Sequence, residues 1–473
     1  MATQIGRGGA PCVRGDPQLS HEGMRIYLIS PTHYNPDGSL HKTTRYWTSA
    51  VTLPYLKAIT PPEHEVSFVD ELFYDVDLEA PCDVVGITAM GPQIARAYDL
   101  AAEFRRRGRK VVLGGTWVTL TAEESLRHCD AVVAGEAESV WPDVLADLAA
   151  GRSRGIYRAD GWSSLDGMAT FDYLSLPLLK RDAFKSSALY RMYFHWPVIF
   201  SRGCPHPCEY CAVQTYYQRS FRTRPVDDVM ADLRTIQRNG GNRVLFLDDN
   251  PVAHPEKAKD LFRAMIPLKM KWASQSTINI ARDPELLDLA ARSGCVSLSI
   301  GLESINEESL AGVRKDFNQA RRFREDIAKM RARGIQVIAL IMVGLDGDTP
   351  ETFSRTLQFL VDSKISFLKL FTPCPYPGTK YHADMDKAGR ILDGNWARYD
   401  YGSPLIRPSG MTAEEMIDGF RYVYEGFYSV RNILRRFTPP PPGQLLESLA
   451  YIVANWKVNR YLRSHDRAWA TIS

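Results

Sequence analysis

The chain has 473 residues, 45% of them apolar and 24% charged, and a net charge of +3. That length exceeds one ordinary core and implies several domains, while the balanced composition excludes wholesale disorder. Charges of both signs are interspersed, which gives no field to attract nucleic acid, and no apolar run reaches the ~20 residues of a membrane span; the longest is VIALIMVGL at 337–345.

Residues 1–23 contain no apolar signal-like stretch and read as a tail. Cys12, Cys82, Cys129, Cys295 and Cys374 are scattered without pairing rhythm, as in a compartment where thiols stay reduced, so a cytoplasmic protein without disulfides is expected. From Met24 onward, strand-like and helix-like segments alternate. MRIYLIS (24–30), CDVVGITAM (82–90), KVVLGGTWV (110–118) and DAVVAGEAE (130–138) read as strands. The amphipathic QIARAYDLAAEFRRRG and a stretch around TAEESLRH read as helices, the first stopped by Gly108. This pattern predicts a parallel, doubly wound, Rossmann-like α/β domain over 24–152. Ligands of such sheets sit at the carboxyl ends of the strands, where Gly114, Gly115, Thr116, Trp117, Gly135 and Glu136 lie.

Residues 153–190 lack periodicity and read as a surface linker. A second series over 191–400 opens at WPVIFSRGC and continues with RVLFLDD (243–249), WASQSTIN (272–279), VSLSIGLES (296–304), QVIALIMVGL (336–345) and SFLKLFTP (366–373). Six strands alternating with helices predict an incomplete (β/α)6 barrel of the TIM type, with its site on loops at the strands' carboxyl ends. Residues 401–473 read as a helical domain, hinged at the PPPPG of 439–443.

The first barrel strand runs into SRGCPHPCEYCAV (201–213), which gathers Cys204, Cys208 and Cys211. Thiolates at this density bind metal, because ligation needs several soft anionic donors converging from one loop. Structural zinc takes four ligands, usually as two pairs, and no second CxxC or HxxxH completes such a set. A [4Fe–4S] cluster on three cysteines keeps one iron open. His206 is either a further ligand or a shaper of the turn between Pro205 and Pro207.

This CxxxCxxC spacing, with Tyr210 before the last cysteine and a barrel strand before the loop, resembles the radical S-adenosylmethionine (SAM) superfamily. The resemblance implies that the open iron chelates SAM, which is split to a 5′-deoxyadenosyl radical. It further implies that Asp248, Asp249 or Asn250 faces the SAM amino group, unless these residues cap the next helix, and that Glu303 of SIGLES approaches SAM rather than solvent. Gln275 and Ser276 are further candidates, and Gly344 either admits the adenosyl group or ends its strand. Segment 24–150 is similar to the cobalamin-binding domain of one radical SAM subgroup, on the order of LPYLKAITPPEHEVSFVDE, GITAM, VVLGGTWVTLTAEES and VVAGEAE. MVGLDGDTPETF and CPYPGTKYHADMDKAGRILDGNWARYD extend the likeness to members that methylate hopanoid lipids or tailor tetrapyrroles and natural products. Two departures stand out. The D-x-H-x-x-G cobalt-ligating signature is missing, and Trp117 follows the glycine pair, where its indole either packs on the corrin or obstructs it.

The resemblance implies a [4Fe–4S] cluster, SAM, cobalamin and an external electron donor such as flavodoxin or ferredoxin. It also implies methylation of an unactivated carbon of a lipid, tetrapyrrole or natural product. Oxidative cyclisation, rearrangement and a non-catalytic iron–sulfur or cobalamin sensor are the alternatives. Phe420, Tyr422, Tyr424, Phe427, Tyr428 and the run Arg431 to Arg436 either cover an apolar ligand, touch a membrane peripherally or pack on their own domain. Tyr376 and Tyr381 are candidates to line the barrel mouth.

Overall fold

The computed structural model describes residues 23–464 except 36, 44–45, 47, 181–184, 186, 188–193, 316, 400–401 and 438–444. The tail and the four-proline hinge therefore lie outside the described residues. Contacts divide the chain into two compact units, Met1–Ser163 with Ala169–Met192, and Ser164–Met168 with Tyr193–Ser473. No helix among the described residues is long and apolar enough to cross a membrane.

The first unit holds a six-stranded, all-parallel sheet: β1 (Arg25–Ser30), β2 (Glu65–Asp70), β3 (Val84–Thr88), β4 (Lys110–Gly114), β5 (Ala131–Ala134) and β6 (Ile156–Arg158). Its spatial order is β2-β1-β3-β4-β5-β6, so the winding reverses between β1 and β3. The interior strands are buried on both faces and read as continuous apolar runs. β2, at an edge, begins with alternation instead. Ile26, Leu28, Val84, Val112, Val133 and Trp141 share one core cluster, in which the Trp141 indole donates to Thr60 Oγ1 at 2.9 Å. The predicted strand 110–118 stops at Gly114, because Gly115 takes φ +100° and the chain turns into the helix Thr116–Leu120. Strand β6 falls in the stretch read as a linker, where three residues are too few to show a period.

The second unit has a parallel six-stranded sheet of β7 (Trp196–Val198), β10 (Arg243–Phe246), β11 (Lys271–Ser276), β12 (Cys295–Glu303), β13 (Gln336–Met342) and β14 (Phe367–Phe371). Their order is β14-β13-β12-β11-β10-β7, with β7 and β14 at the two ends, as an incomplete barrel requires. A small antiparallel pair, β8 (Ser201–Gly203) and β9 (Phe221–Thr223), brackets the cysteine loop. The longer helices between the strands bury one stripe; Val226–Arg238 buries Val229, Met230, Leu233 and Ile236 at helical spacing.

The C-terminal stretch begins with the helix Ala413–Tyr428, whose Thr412 and Glu415 form a reciprocal capping box. Ser429 ends that helix and caps the next, Val430–Arg436. Phe420, Tyr424, Phe427 and Tyr428 are fully buried, so the aromatic stripe is core, and of the five only Tyr422 is exposed. Arg436 is buried too, donating to the carbonyls of Ile365 and Phe427, with its guanidinium 3.6 Å from the Phe427 ring centre. The basic run thus contributes a structural tie rather than only a charged face.

Gly419 and Gly426 let this helix approach Pro350–Asp362: a Cβ on Gly419 would stand 2.2 Å from the Phe353 ring, and one on Gly426 2.5 Å from Leu357. Alanine gains about 1 kcal/mol of helix propensity over glycine, but overpacking a core costs about 1–3 kcal/mol. Because the Phe353 ring is itself buried, the steric cost wins. Gly419→Ala is expected to lower the thermal midpoint by a few degrees, whereas Gly312→Ala, which meets open space, leaves it unchanged or higher. Thermal unfolding of both variants checks this; a higher midpoint for Gly419→Ala contradicts the close packing.

Candidate active site

The cysteine loop leaves the sheet after β7 and is gripped by the residues that follow β10. Asp248, 1% exposed, accepts from Phe200 N at 3.1 Å and from the Ser201 amide and hydroxyl. Asp249 accepts from Gly203 N at 3.3 Å, and Asn250 Oδ1 from Thr277 N at 3.4 Å. Burial lifts Asp248 to about 7 and Asp249 to about 6, against the amides that favour their charge. None of the three caps the following helix, Pro255–Met265; His254 does, through its ring nitrogen. Gly203 takes φ +86°, and a Cβ there would lie 2.1 Å from Ser220 O, so only glycine closes the hairpin below Cys204.

The loop's far side is clamped by Val313, Arg314 and Phe317 and by the helix Lys380–Lys387. Glu209 N donates to Val313 O at 3.2 Å, Tyr381 N donates to Glu209 O at 3.1 Å, and the Glu209 carboxylate meets Arg314 at 2.8 Å and Lys380 at 3.4 Å. His206 stacks on Phe317 with centroids 4.1 Å apart. Cys204 and Cys211 are partly exposed and Cys208 is buried; all three are free thiols. Burial pushes Cys208 up to about 11 and Cys211 to about 12, so thiols are the form held without metal, and ligation must displace protons. Among the described residues, no three His, Cys, Asp or Glu side chains are gathered closely enough for one metal ion. The fit to an iron–sulfur cluster therefore rests on donor chemistry, three soft thiols within eight residues of one clamped loop.

Glu303 ends β12 at φ +63°, a conformation rare for a side-chain-bearing residue, and is 7% exposed. Its Oε1 accepts from Lys315 Nζ at 2.5 Å, and Lys315 also donates to Tyr210 Oη at 3.0 Å, inside the cysteine loop. Burial opposes the Lys315 charge, yet the Glu303 carboxylate holds its pKa above the ordinary lysine value. A Cβ on Gly301 would meet Glu303 Oε1 at 2.5 Å and Lys315 Nζ at 2.8 Å, so the ion pair needs that glycine. Lys315 was not legible as a site residue: VRKD reads as an ordinary solvated charge run.

The remaining candidates divide. Gln275 is exposed and pairs in register with Ser299, on the face that carries Gly301. Ser276 faces the other way and donates to Thr277 O at 3.1 Å. Gly344 takes φ +90°, and a Cβ there would strike Met416 Sδ at 2.2 Å, so helix packing accounts for that glycine. Tyr381 packs with Val313, Met342, Leu345, Met385 and Ile406, with Tyr210 and Phe371 against them, and Tyr376 is equally buried.

In the first unit, a Cβ on Gly115 would lie 2.6 Å from Ala89 O, which ties the β4 turn to the end of β3. Gly135, at φ +101°, faces open space, and its amide donates to Thr119 Oγ1 at 2.9 Å. Glu136 accepts from Ser163 N at 3.0 Å. Thr116 opens the short helix beside Gly115, and Trp117 is 1% exposed, its indole packed away from solvent. Glycine-bearing turns at the carboxyl ends of β4 and β5 fit a large planar cofactor approached by backbone, and none of the candidate residues there is a histidine.

A model of the Radical SAM superfamily matches residues 198–360, and one of the B12 binding domain matches residues 70–145. Over 404 residues the chain is 29% identical to the bacteriochlorophyllide d C-12(1)-methyltransferase of Chlorobaculum tepidum, spanning 84% of this chain and 85% of that one. It is 26% identical to the hopanoid C-2 methylase of Rhodopseudomonas palustris, spanning 81% and 75%. Among solved structures, the radical SAM methyltransferase TsrM from Kitasatospora setae, with cobalamin and a [4Fe-4S] cluster bound, shares the fold at a TM-score of 0.64 and 16% identity, covering 92% of this chain and 91% of that one. A B12-binding domain followed by a radical SAM domain makes this chain a homologue of the cobalamin-dependent radical SAM methyltransferases.

Proposed function

We propose that the chain methylates an unactivated carbon of a tetrapyrrole or hopanoid-type substrate. The observation that carries this reading is the alignment of both domains, in one order, with methyltransferases over more than four fifths of the chain. A three-cysteine [4Fe–4S] cluster supplies the electron that splits SAM, and cobalamin supplies the methyl group. Cys204, Cys208 and Cys211 would hold the cluster, with its electron coming from an external donor of the flavodoxin or ferredoxin kind, and the turns at Gly114, Gly115, Thr116, Gly135 and Glu136 would hold cobalamin. Asp248 keeps the loop in place through the backbone of residues 200 and 201. Glu303, fixed by Lys315, receives the polar end of SAM, with Asp249 and Gln275 beside the same strand ends. Burial of the Glu303–Lys315 pair supports this role, because a fixed charge in a water-poor site orients a ligand at little reorganisation cost.

Three outcomes are expected. First, Cys204→Ala, Cys208→Ala or Cys211→Ala each loses most reconstituted iron and all measurable 5′-deoxyadenosine formation, while Cys295→Ala keeps both; iron analysis and chromatography read this. Second, Lys315→Met leaves a buried carboxylate unpaired and lowers stability by about 3–5 kcal/mol, and Glu303→Gln/Lys315→Met recovers most of that without restoring SAM affinity. Denaturant unfolding and SAM equilibrium dialysis measure the two effects; a double variant that binds SAM normally removes Glu303 from the site. Third, anaerobic turnover yields 5′-deoxyadenosine, S-adenosylhomocysteine and a product with one added methyl. A product without the methyl, seen by mass spectrometry, points to cyclisation or rearrangement.

A further inference from the structure

Strand β14 alternates in burial, with Leu368 and Leu370 buried and Phe367, Lys369 and Phe371 partly exposed on the opposite face. The register identifies that face. Lys369 pairs with Leu340 of β13, and Leu340 pairs with Gly301 of β12. Residues paired in register point the same way, so Lys369 shares the face of Gly301, against which the Glu303–Lys315 pair rests. One step toward the strand's end, Phe371 reaches the apolar cluster that includes Tyr210 of the cysteine loop. Lys369 therefore stands on the inner wall of the barrel, one residue layer below the loop.

Its nearest neighbours on that wall are apolar, Leu340 beside it with Ile338, Phe367 and Phe371 in the adjoining layers, and the Glu303–Lys315 pair lies against Gly301 one strand further on. Lys369 has no hydrogen bond, ion pair or ring contact among the described residues. Burial alone pushes its pKa below the ordinary lysine value, with no carboxylate opposing the shift. Glu303 is committed to Lys315, and Asp248 to the loop backbone. An isolated ammonium in an apolar wall costs stability, and a bound anion that pairs with it offsets that cost.

We propose that Lys369 anchors a carboxylate of the substrate, which makes the substrate an acid-bearing tetrapyrrole rather than a hydrocarbon lipid. This rests on the methyltransferase reading given above. The ammonium fixes one edge of a large apolar ligand by ion pairing, while Leu340, Phe367 and Phe371 provide the surface its body lies on. SAM also carries a carboxylate, and the test separates the two sources.

Holoprotein and its Lys369→Met variant are titrated with a chlorin bearing a free propionate, with the methyl ester of the same chlorin, and with SAM. Lys369→Met is expected to bind the free acid about 30-fold more weakly, as removal of one partner of a desolvated charge pair implies, with ester and SAM affinity unchanged. Lys369→Arg keeps the preference for acid over ester, and Lys369→Met melts no lower than the parent in the absence of ligand, since it removes an unpaired charge. Equal affinities of parent and variant for the acid, an equal loss for acid and ester, or a loss confined to SAM overturns the proposal. Failure of the methyltransferase reading shows separately, as tight acid binding by the parent without methylated product.

Discussion

A buried ion pair holds the cysteine loop of the second unit to its barrel wall. Lys315 joins Glu303, at the end of β12, to Tyr210, within the cysteine loop, so one ammonium ties the barrel wall to the segment that carries the three thiols. Two charges buried together are stable only while both remain, and the neighbourhood is arranged for that: Gly301 leaves the room, and Glu303 accepts a left-handed backbone to reach the ammonium. The opposite side of the loop is fixed by Asp248 and Asp249 through backbone amides. The loop is thus held from the ends of β10 and β12 and by Val313, Arg314, Lys315 and Phe317.

The two units divide the chemistry along the chain. The first keeps its glycine-bearing turns at the carboxyl ends of β4 and β5, on the β3 side of the point where the sheet reverses its winding. The second keeps its thiols and charged groups at the carboxyl ends of β7, β10 and β12, with a lone ammonium on the inner face of β14. Both arrangements follow from parallel sheets, in which crossover helices cover the faces and leave one end for function.

Much of this was legible in the sequence. Buried parallel strands announce themselves as short β-branched runs, and the second sheet and four strands of the first followed from them; β2 did not, because EVSFVD alternates at an edge instead of running apolar, and the thiol loop was marked by its cysteine spacing. What escaped had physical causes. β6 has three residues, too few for a period, and the strand at 110–118 was read too long because Trp117 and Val118 are as apolar in a helix as in a strand. Asp248 and Gly344 looked like ligand contacts, yet their partners, the loop backbone and Met416, are distant in sequence. Lys315 is hidden in a charge run, whereas Lys369 left a trace: a lysine between leucines in a strand whose neighbours are all apolar.

The proposed chemistry requires Cys204, Cys208 and Cys211 to hold a cluster with one iron left for SAM. Electron paramagnetic resonance of the anaerobically reconstituted, reduced protein tests it most directly. A [4Fe–4S] signal whose g values change when SAM is added is expected; a protein that takes up zinc in place of iron, or a cluster signal indifferent to SAM, overturns that assignment.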